Sequence, residues 1–237
     1  MSWYTNTAIL HAAVGTTALV TFWVAGMAKK GSPIHKVSGK IYLLSMVGIL
    51  LSAFPMATYI FLNGKPVIGG FLLYLLIITL TSVWNSWRAI RDKRDWKRYT
   101  GPAFKALMVL NLLGGLSIAG IGLFMAQQMQ LVITSFSLIG LIGAYQMYKF
   151  QREAPADPRW WMREHLTAMV GNGVATHIAF LQIGLPKILP MISGPVMVNL
   201  AWMGPLLIAV IAGTYLTRKY APKPVAQSAK PKLAGQS

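Results

Sequence analysis

Apolar residues collect in seven runs, at 5–28, 41–62, 66–87, 105–126, 129–148, 164–185 and 195–216, with polar residues gathered between them. Each run holds about 20 residues, which as a helix rising roughly 1.5 Å per residue crosses a hydrocarbon layer of about 30 Å. Helix is the economical solution, because lipid offers nothing to an open backbone N–H or C=O. The pattern therefore predicts an all-α fold, a seven-transmembrane-helix bundle forming one domain over 1–216. A segment rich in Pro, Lys, Ala and Gln follows over 217–237 and reads as a disordered basic tail.

Punctuation within the runs refines the elements. Ser32-Pro33, Gly101-Pro102 and Asp157-Pro158 each read as an N-cap followed by proline at the first helical position. The second, fourth and sixth helices then begin before entering the bilayer. This puts His35 on the first turn of the second helix and His165 about two turns into the sixth. Pro55 and Gly204-Pro205 predict kinks. Gly114, Gly115, Gly120 and Gly122, with Gly140 and Gly143, predict close helix contact. Trp84, Trp87, Trp96, Trp160 and Trp161 read as an interfacial aromatic belt.

Charge orients the bundle. Of the 22 Lys and Arg, 20 lie in the first, third and fifth connections or in the tail, and only Lys65 and Lys187 lie in the second and sixth. That alternation places the N-terminus outside and the C-terminus in the cytoplasm. A net charge of +17 would suggest nucleic acid as partner in a soluble protein. Here 55% of residues are hydrophobic and only 11% charged, and the cations flank apolar runs instead of forming one stripe. The partners this implies are the bilayer and anionic lipid headgroups at the cytoplasmic face, with no nucleic acid. A homo-oligomer is left open.

The chemistry is bounded mostly by exclusion. No cysteine is present, so thiolate metal sites, disulfides and cysteine nucleophiles are out. The N-terminus lacks a basic n-region and a small-residue cleavage site, so the first run is expected to stay as a membrane helix. The five carboxylates, Asp92, Asp95, Glu153, Asp157 and Glu164, all fall at cytoplasmic ends, which argues against cation-coupled transport through a buried acid. No lysine lies between Gly194 and Thr217, which excludes a retinal Schiff base in the last helix.

Four histidines remain. By helix rise, His11 lies about 9 Å and His177 roughly 12 Å below the outer face, while His35 and His165 both lie near the inner face. The depths predict an outer pair and an inner pair, each drawn from two helices. Two imidazoles at matched depth are what a membrane b-type haem needs as axial ligands. Glycine four residues from His11, His35 and His177 (Gly15, Gly39 and Gly173) leaves room for a flat macrocycle or a neighbouring helix. The expected site is thus His11 and His177 on haem b iron, with Gly15 and Gly173 giving clearance and Asn172 as a supporting donor. His35, His165 and Gly39 would form a second site. Alternatively the histidines only hydrogen-bond neighbouring helices.

The stretch His11-Ala-Ala-Val-Gly15, Lys30-Gly31-Ser32-Pro33-Ile34-His35 and Gly39-Lys40-Ile41-Tyr42, with Trp161-Met162-Arg163-Glu164-His165, Met169 and Ala175-Thr176-His177-Ile178-Ala179-Phe180, resembles a bacterial family of small multi-pass membrane proteins of unassigned function. The resemblance covers the first, second and sixth helices. It implies a bacterial inner-membrane bundle and supplies no activity. Three functions fit the sequence: membrane electron transfer through a histidine-bound haem, a transporter or channel for a small neutral or anionic solute, and a structural or assembly subunit. Whether the protein is an enzyme is left open.

Overall fold

The computed structural model describes residues 2–126, 129–188, 191 and 194–220, all helix and connection with no strand among them. The long helices are α1 (Ser2–Met27), α2 (Pro33–Leu62), α3 (Pro66–Arg91), α5 (Pro102–Phe124), α6 (Gln130–Arg152), α7 (Trp160–Ala179) and α9 (Pro195–Tyr220). A short α4 (Trp96–Tyr99) folds inside the third connection. A π-helical turn (Phe180–Gly184) and α8 (Leu185–Ile188) extend α7. Six helices, α7 not among them, are long and apolar enough to cross a membrane.

Several starts follow the expected punctuation. Ser32 caps α2, its hydroxyl accepting from the His35 N–H at 3.2 Å, and Pro33 takes the first helical position. Gly101 and Pro102 open α5 likewise. Asp157 does not cap α7 as expected; Arg159 occupies that position, and Asp157 instead accepts from the Arg159 N–H at 2.7 Å in the preceding turn. The connections α1–α2 and α2–α3 turn through Gly31 (φ +81°) and Gly64 (φ +83°), where a side chain would be strained. Helix α2 runs through Pro55 and α9 through Pro205 without interruption. Residues 217–220, expected in the disordered tail, continue α9; 221–237 lie outside the described residues.

Helix α3 is the hub. It packs against α2, α5 and α7, while α1 pairs with α2, α5 with α6, and α9 with α7. Three apolar clusters fill the bundle. One joins α3, α5, α6, α7 and α9 around Phe71, Tyr74, Phe136 and Trp202. A second, around Tyr99, Phe104 and Trp160, lies at the end where the basic connections gather. The third ties α1, α2 and α3 through Ala18, Tyr42, Met46 and Val83. The surface between is apolar: Leu44, Leu51 and Ile211 are each 72% exposed. A helical surface this apolar is explained by lipid, because water would drive it to aggregate.

The tryptophan belt is corrected. Trp160 is buried, and Trp84, Trp96 and Trp161 pack against the same cluster; of the five, Trp87 alone is an exposed side chain. The reason is the third connection. Asp92, 3% exposed, receives Arg88 and also Arg98 at 3.5 Å, and Arg88 reaches the Arg98 carbonyl at 2.9 Å. This network folds the connection back so that α4 covers the end of the bundle with its aromatic residues.

Candidate functional site: the inner histidine pair

The structure does not bring His11 and His177 together. His11 turns to α2, its Nδ1 lying 2.9 Å from Ser52 Oγ. That hydroxyl donates to the Gly48 carbonyl at 2.7 Å, so it accepts from the imidazole. His177 lies against Phe22 and Trp23, with ring centroids 5.4 and 5.5 Å away. Trp23 comes twelve positions after His11 on α1, which is about 18 Å along the axis. The matched depth inferred from helix ends therefore fails, because α7 meets α1 near its opposite end.

His177 is also chemically committed. Its Nδ1 is 2.7 Å from the Gly173 carbonyl, which can only accept, so the proton sits on Nδ1. Nε2 then accepts the Trp23 indole N–H at 3.1 Å. Both ring nitrogens are used, and none is free for a metal. Gly173 gives clearance, but not to a cofactor: a Cβ there would lie 2.5 Å from Phe22 Cζ. Asn172 does not support His177 either. It is fully buried and turns to α3, with Nδ2 3.4 Å from Ser86 Oγ. Gly15 has open space at its Cβ position, but no opposing imidazole faces it.

The inner pair is different. His35 sits on the first turn of α2, and its Nδ1 lies 2.9 Å from the Ala25 carbonyl at the end of α1. His165, on the second turn of α7, places Nδ1 2.8 Å from the Ser86 carbonyl on α3. A carbonyl accepts only, so both rings carry their proton on Nδ1 and leave the Nε2 lone pair uncommitted. Backbone carbonyls hold metal-bound imidazoles in the same way, fixing tautomer and orientation. His35 and Lys30 both stand within Coulombic reach of His165. A Cβ on Gly39, one turn from His35, would meet nothing within 4 Å.

Lys30 donates to the Gly26 carbonyl at 2.6 Å and the Ala25 carbonyl at 3.3 Å, capping α1 beside the His35 contact. Burial lowers the pKa of its ammonium. On the far side of His165, Glu164 accepts the Tyr99 hydroxyl at 3.2 Å. Burial, and then the Glu164 carboxylate, hold the Tyr99 phenol well above its usual pKa of 10. Above the pair a hydrogen-bonded line crosses the bundle: Tyr42 OH meets Thr176 Oγ1 at 3.0 Å, and Thr176 donates to the Asn172 carbonyl at 3.0 Å. Among the described residues, no three His, Asp or Glu side chains cluster so that they could hold a bare metal ion.

The sequence points to His35, His165 and Gly39 as a second site, and not to Lys30, Ser86 and Tyr99 around it. The Lys30-to-His35 spacing was visible, but the α3 carbonyl that orients His165 leaves no side-chain signature. Comparisons with protein-family models, curated proteins and solved structures find no match to this chain.

Proposed function

We propose that this is a bacterial inner-membrane protein of seven passes, N-terminus outside and C-terminus in the cytoplasm, that binds haem b between His35 and His165 for membrane electron transfer. The loop charge pattern supports the orientation. Together α7, its π turn and α8 run from Trp160 to Ile188, long enough for a seventh pass. This run is the most polar of the seven because α3 and α9 enclose it, so Asn172, Gly173 and Thr176 are buried in protein and not presented to lipid.

One observation carries the site: His35 and His165 each spend Nδ1 on a backbone carbonyl and keep Nε2 free. Two imidazoles are too few for a structural or catalytic zinc ion held by protein alone, but they suffice for haem, whose macrocycle provides four ligands. Gly39 leaves space beside His35, and Lys30 provides a cation for an anionic substituent. Haem supplies reversible one-electron chemistry when bound. The protein holds the two imidazoles in one tautomer. The outer histidines serve as helix contacts, His11 between α1 and α2 and His177 between α1 and α7.

The test is an absorption spectrum of the detergent-purified protein after haem supplementation, oxidised and then dithionite-reduced. A Soret band lost in His35→Ala and His165→Ala but kept in His11→Ala and His177→Ala is expected. Wild-type protein with no Soret band removes the proposal, as does a spectrum that survives loss of both inner histidines.

A further inference from the structure

We infer that the cleft between the third and fifth connections is a specific site for the phosphate of an anionic phospholipid headgroup. The cleft has a volume of about 340 Å³ and is lined by Lys93, Arg94, Trp96, Pro155, Pro158 and Trp160. It lies at the basic end of the bundle, where α3 ends and α7 begins.

Most cations around it are already committed. Arg88 and Arg98 hold Asp92, and Arg159 holds Asp157. Asp95 is occupied as well, accepting from the Arg98 N–H at 2.9 Å. Lys93 lies 5.8 Å over the Trp161 ring. Neither it nor Arg94 has a carboxylate within ion-pair distance among the described residues. Among the described residues the concavity therefore presents one ammonium and one guanidinium that no carboxylate contacts within 4.0 Å, between tryptophan and proline walls. A guanidinium suits two phosphate oxygens at once, and an ammonium adds a movable point charge.

The lipid is favoured over a free phosphate compound by what adjoins the cleft. In the last turns of α3, Trp87 is 52% and Ile90 41% exposed, with the Arg91 guanidinium 5.8 Å over the Trp87 ring, so apolar surface lies on the helix that leads into the two cleft cations. A headgroup in the cleft would set its acyl chains on that surface. Soluble phosphate compounds gain nothing from it.

The test uses delipidated full-length protein in detergent, titrated with phosphatidylglycerol or phosphatidylcholine and read by native mass spectrometry. Each cation at an anionic lipid surface is worth about fivefold, so K93Q/R94Q should weaken phosphatidylglycerol binding by roughly 30-fold. K36Q/K40Q removes the same charge from the first two turns of α2 and should change binding by less than about twofold. Both cleft side chains are exposed, so helicity by circular dichroism should be unchanged. Equal losses in the two double variants, or no preference for phosphatidylglycerol over phosphatidylcholine, would overturn the site. Glycerol phosphate competing as well as the whole lipid would overturn the lipid as its ligand.

Discussion

Gly173 separates the two readings of the outer histidine, and Gly173→Ala tests which holds. If this glycine clears space for a macrocycle, alanine should change cofactor binding and leave the apoprotein alone. The structure predicts the opposite. A Cβ would sit 2.5 Å from Phe22 Cζ and 2.8 Å from Cε2. Ordinary contact begins near 3.4 Å, so the ring must retreat by about 0.9 Å. It has little freedom to do so, because Tyr42, Trp23 and His177 press on it with centroids 5.4, 5.9 and 5.4 Å away. Overpacking of this kind costs about 1–3 kcal/mol. Phe22→Leu removes the clashing edge, so the double variant should recover part of the loss, giving a coupling of roughly 0.5–3 kcal/mol. Reversible unfolding in mixed detergent micelles measures all four corners of the cycle. Gly173→Ala with wild-type stability, or a double variant showing only additive losses, would refute the Phe22 contact and with it the placement of His177.

Three further outcomes are expected. Tyr74 inserts its hydroxyl into the α6 ladder, accepting from the Gly140 N–H and donating to the Phe136 carbonyl, both at 2.9 Å; Tyr74→Phe should cost about 1–3 kcal/mol and speed exchange of the Gly140 amide, read by hydrogen–deuterium exchange. Asp92→Asn leaves Arg88 and Arg98 without their shared carboxylate and should cost about 3 kcal/mol, the low end for a broken buried pair because Arg98 is 59% exposed; thermal unfolding reads it, with the loss of α4 packing visible in tryptophan fluorescence. Tyr99 is held protonated well above pH 10 in the fold, so its contribution is complete below that pH and is lost as pH rises beyond it; wild type should lose stability above pH 10 more steeply than Tyr99→Phe.

How much of this could be read from the sequence depended on whether the feature is set along one helix or between helices. Six of the seven expected spans were legible as long apolar helices, because lipid imposes one length and one composition on each crossing helix. Ser32-Pro33 and Gly101-Pro102 were legible because a cap is settled within four residues. Depth was estimated from the same one-dimensional ruler, and there the reasoning broke. Counting residues from each helix end assumes that helices stand parallel and enter at equal heights. His177 meets Trp23 because α7 packs mainly on α3 and α9, and its height is fixed by those neighbours and not by its distance from α1. The belt of tryptophans failed for a related reason: Asp92 buries itself among arginines that loop sequence alone presents as solvated charge.

The same distinction applies to the inner pair, whose place along each helix is set locally and whose ring chemistry is set between helices. Each of its histidines lies within two turns of a helix start, where counting residues along one helix is safest. What separates them from His177 is the state of each ring nitrogen, decided by carbonyls at Ala25 and Ser86 that any residue could supply; His11, anchored at Nδ1 by Ser52, differs from them in having no second imidazole brought to it. A histidine whose two nitrogens are both spent, as in His177, is a strut between helices. One that is anchored at Nδ1 and open at Nε2, as in His35 and His165, keeps a lone pair that a metal could take. Depth and spacing put all four histidines on equal terms; the partners of its two nitrogens set His177 apart, and the turn of His11 toward Ser52 on α2 sets it apart.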